Sequence, residues 1–172
     1  SGNLEGEEMP VNYPGFKGGD RTNIDLPAVQ RNCLKALKQA GKKVIFVNCS
    51  GSAIALTPET ETCDAILQAW YAGESGGQAV ADVLFGDYNP GGKLPITFYK
   101  SSEQLKDFED YSMKGRTYRY MNDALFPFGY GLSYTKFAIG NATLSQPTIK
   151  ANEAVKITIP VSNTGKRQGT EI

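Results

Sequence analysis

The chain of 172 residues contains no histidine. That excludes, within it, a Ser-His-Asp or Cys-His nucleophile centre and any histidine-ligated zinc. Catalysis by its side chains must rest on carboxylates, lysine, tyrosine or cysteine. Cysteine is scarce: Cys33, Cys49 and Cys63 are odd in number, widely spaced and form no CxxC, so no metal site is expected. Each lies in an apolar helix or strand pattern, which predicts buried free thiols used as small hydrophobes. Net charge is absent as well, with 18 Lys+Arg against 18 Asp+Glu. Without a basic surplus to attract phosphates or anionic lipid, nucleic acid is not an expected partner. No apolar run approaches the ~20 residues of a membrane-spanning helix, and there is no internal repeat. What remains is a globular composition, 40% hydrophobic and 21% charged, with enough residues for one domain, or one and part of another.

Residues 1–24 read as loop, broken by Pro10, Pro14, Gly15, Gly18 and Gly19. "DLPAVQRNCLKALKQAG" (25–41) predicts a helix with a Val29, Cys33, Leu34, Leu37 stripe, Pro27 in its first turn and Gly41 as its stop. "KVIFVNCS" (43–50) and "CDAILQAWY" (63–71) read as strands buried on both faces, with a loop and short helix between them. A glycine turn, "GESGG" (73–77), leads into a helix over 77–86. The order implies α/β layers with a parallel sheet. "DYNPGGKLPITFYK" (87–100) is a rigid turn and a short extended stretch, 101–115 a polar loop or weak helix, "RTYRYM" (116–121) an alternating strand, and "LFPFGYGLSYTKF" (125–137) an aromatic, glycine-rich connector. After that the period becomes two: Val155, Ile157, Ile159 and Val161 share one face before a turn at 163–165, an antiparallel pattern. About 35 residues are too few for a complete β-sandwich, so the sequence is expected to be truncated at both ends.

Three stretches could carry chemistry. Glu5, Glu7 and Glu8 fall within four positions, beside a flexible loop. Crowded carboxylates raise one another's pKa, which suits a general acid near neutral pH; a solvated acidic turn fits the same residues. "GESGG" follows a strand, where open α/β sheets place binding loops. It lacks the P-loop lysine and GxGxxG spacing, which leaves Glu74 and Gln78 as its polar candidates for a ligand and a tight strand-to-helix turn as the plainer account. Asp20-Arg21 reads as a buried charge pair fixing the end of the glutamate loop. Trp70, Tyr71, Tyr88, Phe98, Tyr99, Tyr118 and Tyr120 suit sugar stacking, but each is assigned to core.

Taken together, "EGEEMPV…GGDRTNIDLPAVQ", "AILQAWYAGESGGQAVADVLFGDYNPGGKLPITFY", "GRTYRYM" and "LFPFGYGLSYTKF" resemble, in order, the C-terminal α/β-sandwich domain of glycoside hydrolase family 3. "VKITIPVSNTGKRQGTEI" resembles the opening strands of the fibronectin-III-like domain that often follows it. The resemblance implies a three-layer α/β/α sandwich with a mainly parallel sheet over residues 1–136, then an incomplete fibronectin-III-like β-sandwich over 137–172. It implies a retaining, exo-acting β-glycosidase that releases terminal β-linked xylose or glucose from oligosaccharides. The nucleophile aspartate would lie on an N-terminal TIM barrel outside this chain. The acid/base would be a glutamate on the loop before the "GDR" segment. The family's "SGEG"-like context, laid on "EGEE", puts it at Glu7, with Glu5 and Glu8 as alternatives, and the ExE pattern leans towards the xylosidase branch. No cofactor or metal is implied. Export to the periplasm, cell surface or medium is expected, and exposed strand edges leave a homodimer open. The rival expectation is a non-catalytic carbohydrate-binding or scaffold module, with a phosphate- or nucleotide-binding α/β protein third.

Overall fold

The computed structural model describes residues 11–172. Its order of elements is β1 (Phe16–Lys17), β2 (Asp20–Arg21), α1 (Ala28–Gln39), β3 (Ile45–Asn48), α2 (Thr57–Thr62), β4 (Ala65–Gln68), α3 (Gly76–Phe85), a 3-10 turn (Ser102–Gln104), α4 (Thr117–Tyr120) and four short strands, β5 (Phe137–Ile139), β6 (Thr143–Leu144), β7 (Ile157–Thr158) and β8 (Val161–Asn163). They fall into two compact units. One takes the described residues up to Val80 together with Leu94–Tyr130; the other takes Ala81–Lys93 and Gly131–Ile172.

In the first unit the predicted helix forms as α1. Its carbonyl at Pro27 receives the amides of Gln30 and Arg31. The helix stops where Gly41 turns left-handed, φ +72°, and the amide of Lys42 reaches back to Leu37 O at 3.1 Å, a closure that favours glycine. The two strands β3 and β4 pair in parallel, Ile45 with Ala65 through Asn48 with Gln68, the strand direction expected. Asp64 clamps their entry: its carboxylate accepts from Val44 N (2.9 Å), Lys38 Nζ (3.0 Å) and Lys43 Nζ (3.3 Å). Those donors, the Val44 amide foremost, hold its pKa down at about 2.

The core is Leu26, Ile54, Leu56 and Phe98, with Leu34, Phe46, Ile66, Trp70 and Phe126 packed on it. Phe98 meets Trp70 and Phe126 edge-to-face, at 6.2 and 6.3 Å between ring centres. The expected double burial of the strands is not met. Phe46 and Ile66 face this core, whereas Ile45 is 52% exposed, because successive strand residues point to opposite faces and the core covers one of them. The same one-sidedness exposes Val29 and Leu37 of the α1 stripe and leaves Cys33 and Cys49 exposed and Cys63 half-buried, contrary to the expectation of buried thiols.

Two further expectations are corrected. "RTYRYM" is not a strand; Thr117–Tyr120 is a single helical turn, entered through Gly115 at φ +70° and Thr117 at φ +53°. Arg116 donates to the carbonyls of Asp107 and Asp110, and Tyr118 lies on Phe128 at 5.3 Å. These local contacts replace a strand ladder. Of the seven aromatics assigned to core, only Phe98 and Trp70 join it; Tyr99 is half-buried, and Tyr71, Tyr88, Tyr118 and Tyr120 are exposed.

The second unit is antiparallel, as its period predicts: β5 pairs with β8 and β6 with β7. Its hub is Asn89 of the "DYNPGGK" loop. The Asn89 amide donates to Gln168 O (2.8 Å), and its oxygen accepts from Ser133 Oγ (3.0 Å) and Tyr134 N (2.7 Å). Tyr134 in turn donates its hydroxyl to Val83 O at 2.7 Å. The alternating Ile157, Ile159 and Val161 do not form a buried face here; all three are about half exposed or more.

Candidate active site

Glu5, Glu7 and Glu8 lie outside the described residues. The chain that follows them is held step by step. Val11 N donates to Gly18 O (3.3 Å) across a hairpin in which Phe16 pairs with Arg21 and Lys17 with Asp20. Gly15 and Gly18 supply its positive φ angles, +95° and +69°. Asp20 and Arg21 are consecutive residues of β2, so their side chains leave opposite faces of the strand. Asp20 is exposed, and the Arg21 guanidinium donates to the backbone carbonyl of Asp25.

At Asp25 this strap, residues 11–25, meets the core. Asp25 forms a parallel bridge with Ala55, and Ala55 N donates to Ile24 O at 2.8 Å. Arg31 of α1 closes this junction from one side. Its Nε and Nη2 donate to the two oxygens of Glu59, at 2.7 and 3.3 Å. Nη2 also reaches Ala55 O (3.4 Å) and lies 3.8 Å from Asp25 Oδ1. Glu59, on α2, is 1% exposed. Sequence reading missed this pair: Arg31 sits on the polar side of the helical period, and Glu59 looks like one more acid in a polar loop.

A second polar group closes the carboxyl ends of β3 and β4, the side where open α/β sheets bind ligands. Asn48 Nδ2 donates to Gln68 Oε1 (2.6 Å) and Ser50 Oγ (3.0 Å), and Ser50 Oγ donates to Ser52 O (2.9 Å). Asn48 and Ser50 are buried, and the group satisfies itself, which makes it a brace for the strand ends. Just beyond, Trp70 takes φ +55°, and the exposed Tyr71 packs so closely over Gly51 that a Cβ there would come within 2.7 Å of its ring. Glu74 sits in the exposed turn before α3 and Gln78 in that helix's exposed first turn. Among the described residues no group of His, Cys, Asp or Glu is arranged to hold a metal ion, and no helix is long and apolar enough to cross a membrane.

What the described residues define is a hairpin segment fastened to a parallel β3–β4 pair and its flanking helices through Asp25, Ala55 and the Arg31–Glu59 pair. Comparison with known proteins gives the family. Residues 1–134 match the glycosyl hydrolase family 3 C-terminal domain, and the chain belongs to that family. It is 71% identical over 168 residues to a xylan 1,4-beta-xylosidase of Xylanibacter ruminicola, covering 98% of this chain and 19% of that protein. It is 44% identical to a periplasmic beta-glucosidase of Salmonella typhimurium, covering 91% of this chain and 22% of the relative. Among solved structures, a β-glucosidase from Erythrobacter marinus superimposes with a TM-score of 0.76 at 36% identity, over 96% of this chain and 23% of that one. The chain thus spans about a fifth of the length of these relatives.

Proposed function

We propose that this chain is the acid-carrying part of a retaining, exo-acting β-glycosidase that removes terminal β-linked xylose or glucose from oligosaccharides. The family match over residues 1–134 carries the assignment, and the 71% identity to a protein named a xylan xylosidase favours xylose. Glu7 is the acid/base, with Glu5 and Glu8 as its alternatives. The nucleophile aspartate stands on a TIM barrel of the same parent, outside these residues, as the small share of each relative's length supports. In the parent, residues 1–136 form a three-layer α/β/α sandwich and 137–172 open a fibronectin-III-like domain. The relative named as periplasmic supports an exported enzyme.

In such an enzyme the two carboxyl groups stand about 5–5.5 Å apart across the scissile bond. The barrel aspartate attacks the anomeric carbon while Glu7 gives its proton to the leaving oxygen. Glu7, now a carboxylate, then takes a proton from the water that releases the sugar. Neighbouring glutamates favour the protonated form that starts the cycle.

The test is Glu7→Ala in the full-length enzyme, assayed on two aryl β-xylosides. Loss of the acid should collapse kcat/KM for the poorly acidic leaving group and largely spare the dinitrophenyl one, with azide restoring the second step. Equal losses on both move the role to Glu5 or Glu8. No loss on either leaves a carbohydrate-binding module. The 172-residue chain alone is expected to turn over no aryl glycoside above its own Glu7→Ala control.

A further inference from the structure

We propose that the Arg31–Glu59 pair is a positioning device for the acid/base glutamate, a role that rests on the assignment of Glu7 above. The Arg31 guanidinium does more than dock α1 on α2. While holding Glu59 through two hydrogen bonds, it also faces Ala55 O and the Asp25 carboxylate, the two residues whose bridge fastens the strap. Arg21 of the hairpin donates to the carbonyl of that same Asp25, and Ile24 N is held by Ser102 Oγ at 3.0 Å. A shift of the guanidinium is therefore passed to Asp25, then to β2, then through the hairpin to Val11. From Val11 only four residues lead back to Glu7, a reach of at most about 14 Å.

The pair's own energetics point the same way. Apolar residues of similar volume serve about as well as a buried ion pair for stability alone, so what the pair adds is a fixed geometry. A general acid works only within hydrogen-bond reach of its target, and an error of about 1 Å can cost on the order of 100-fold. Arg31 and Glu59 touch no reacting atom in this scheme. They act through the strap, and the signature of their loss is a misplaced acid.

The experiment compares Glu59→Gln, Arg31→Lys, Glu7→Ala and Asp64→Asn in the full-length enzyme. Each is assayed on the poorly acidic aryl β-xyloside and on the dinitrophenyl β-xyloside, and each is melted. Asp64→Asn loosens α1 at its other end, away from the strap. Glu59→Gln should lose about tenfold or more in kcat/KM on the poor leaving group, less than about threefold on the activated one, with KM nearly unchanged. Arg31→Lys, which keeps the charge but not the two-pronged grip, should show the same selectivity more weakly. Asp64→Asn should lower the melting temperature without changing the ratio of the two substrates. If Glu7→Ala shows the leaving-group dependence while Glu59→Gln and Arg31→Lys lose equally on both substrates, or lose nothing, the positioning role is overturned and the acid assignment stands. If Glu7→Ala shows no such dependence, the assignment falls and the positioning role falls with it.

Discussion

Removing the Arg31–Glu59 pair one partner at a time should be far worse than removing both. Glu59 is 1% exposed and its two oxygens face Arg31. Replacing Arg31 with Met strands a buried carboxylate, near the middle of the roughly 3–5 kcal/mol range for breaking a buried pair, so about 4 kcal/mol. Replacing Glu59 with Leu should cost less, about 3 kcal/mol, because Arg31 is 21% exposed and keeps Asp25 at 3.8 Å. The double variant puts a thioether against an isobutyl group and should lie within about 1 kcal/mol of wild type. The single costs summed, about 7 kcal/mol, would consume the stability of most domains. Urea unfolding of the 172-residue chain can be followed through Trp70, its one tryptophan, which packs on the Phe98 core. At a slope of about 2 kcal/mol per molar urea, Arg31→Met should lower the midpoint by about 2 M while the double variant stays near wild type. A double variant as damaged as the two singles combined would refute the account, since the cost would then come from lost packing and not from an uncompensated charge.

Other outcomes follow from single contacts. Gly131→Ala would set a Cβ 2.4 Å from Gly92 O, so it should destabilise the second unit by about 1–3 kcal/mol. Gly92→Ala meets nothing within 4 Å and should stay within about 0.5 kcal/mol; melting the two variants side by side checks both. Cys33 and Cys49 are exposed, whereas burial, then the charges of Glu59 and Asp64, push the Cys63 thiol up. Titration with a thiol reagent at pH 8 should show two fast groups and one slow, and Cys63→Ser should abolish the slow one. Asp64, held at about 2, stabilises the folded state above the pKa of an unfolded carboxylate and stops doing so as pH falls through that value towards 2. The penalty of Asp64→Asn should therefore be full at pH 6 and gone near pH 2, read from melting temperatures across that range.

The parts of the fold that sequence displayed are those governed by local rules. The stripe, Pro27 and Gly41 delimit α1 because helix ends are set within a turn of themselves. The parallel pairing of β3 with β4 follows from two apolar runs joined by a crossover. What failed depended on what covers each face. An apolar run such as "KVIFV" signals hydrophobicity but not which alternate residue meets the core; Phe46 does and Ile45 does not. "RTYRYM" alternates in size, but left-handed Thr117 and the Arg116 contacts to Asp107 and Asp110 override the period.

The candidate site was legible unevenly for a related reason. Three glutamates in four positions announce themselves, because charge density is a local property of sequence. The groups that would make one of them an instrument do not. Arg31 and Glu59 are 28 positions apart, and Asp25 and Ala55 meet only through a bridge. Read singly, each is an ordinary surface residue type, and only packing puts a guanidinium where helix, strap and buried carboxylate converge. A catalytic acid on a loop needs both properties: a residue conspicuous for its chemistry, and an anchor visible only as a contact. That division is why, under the acid role proposed for Glu7, substitutions at Arg31 and Glu59, silent in any motif, should change the balance between poor and activated leaving groups.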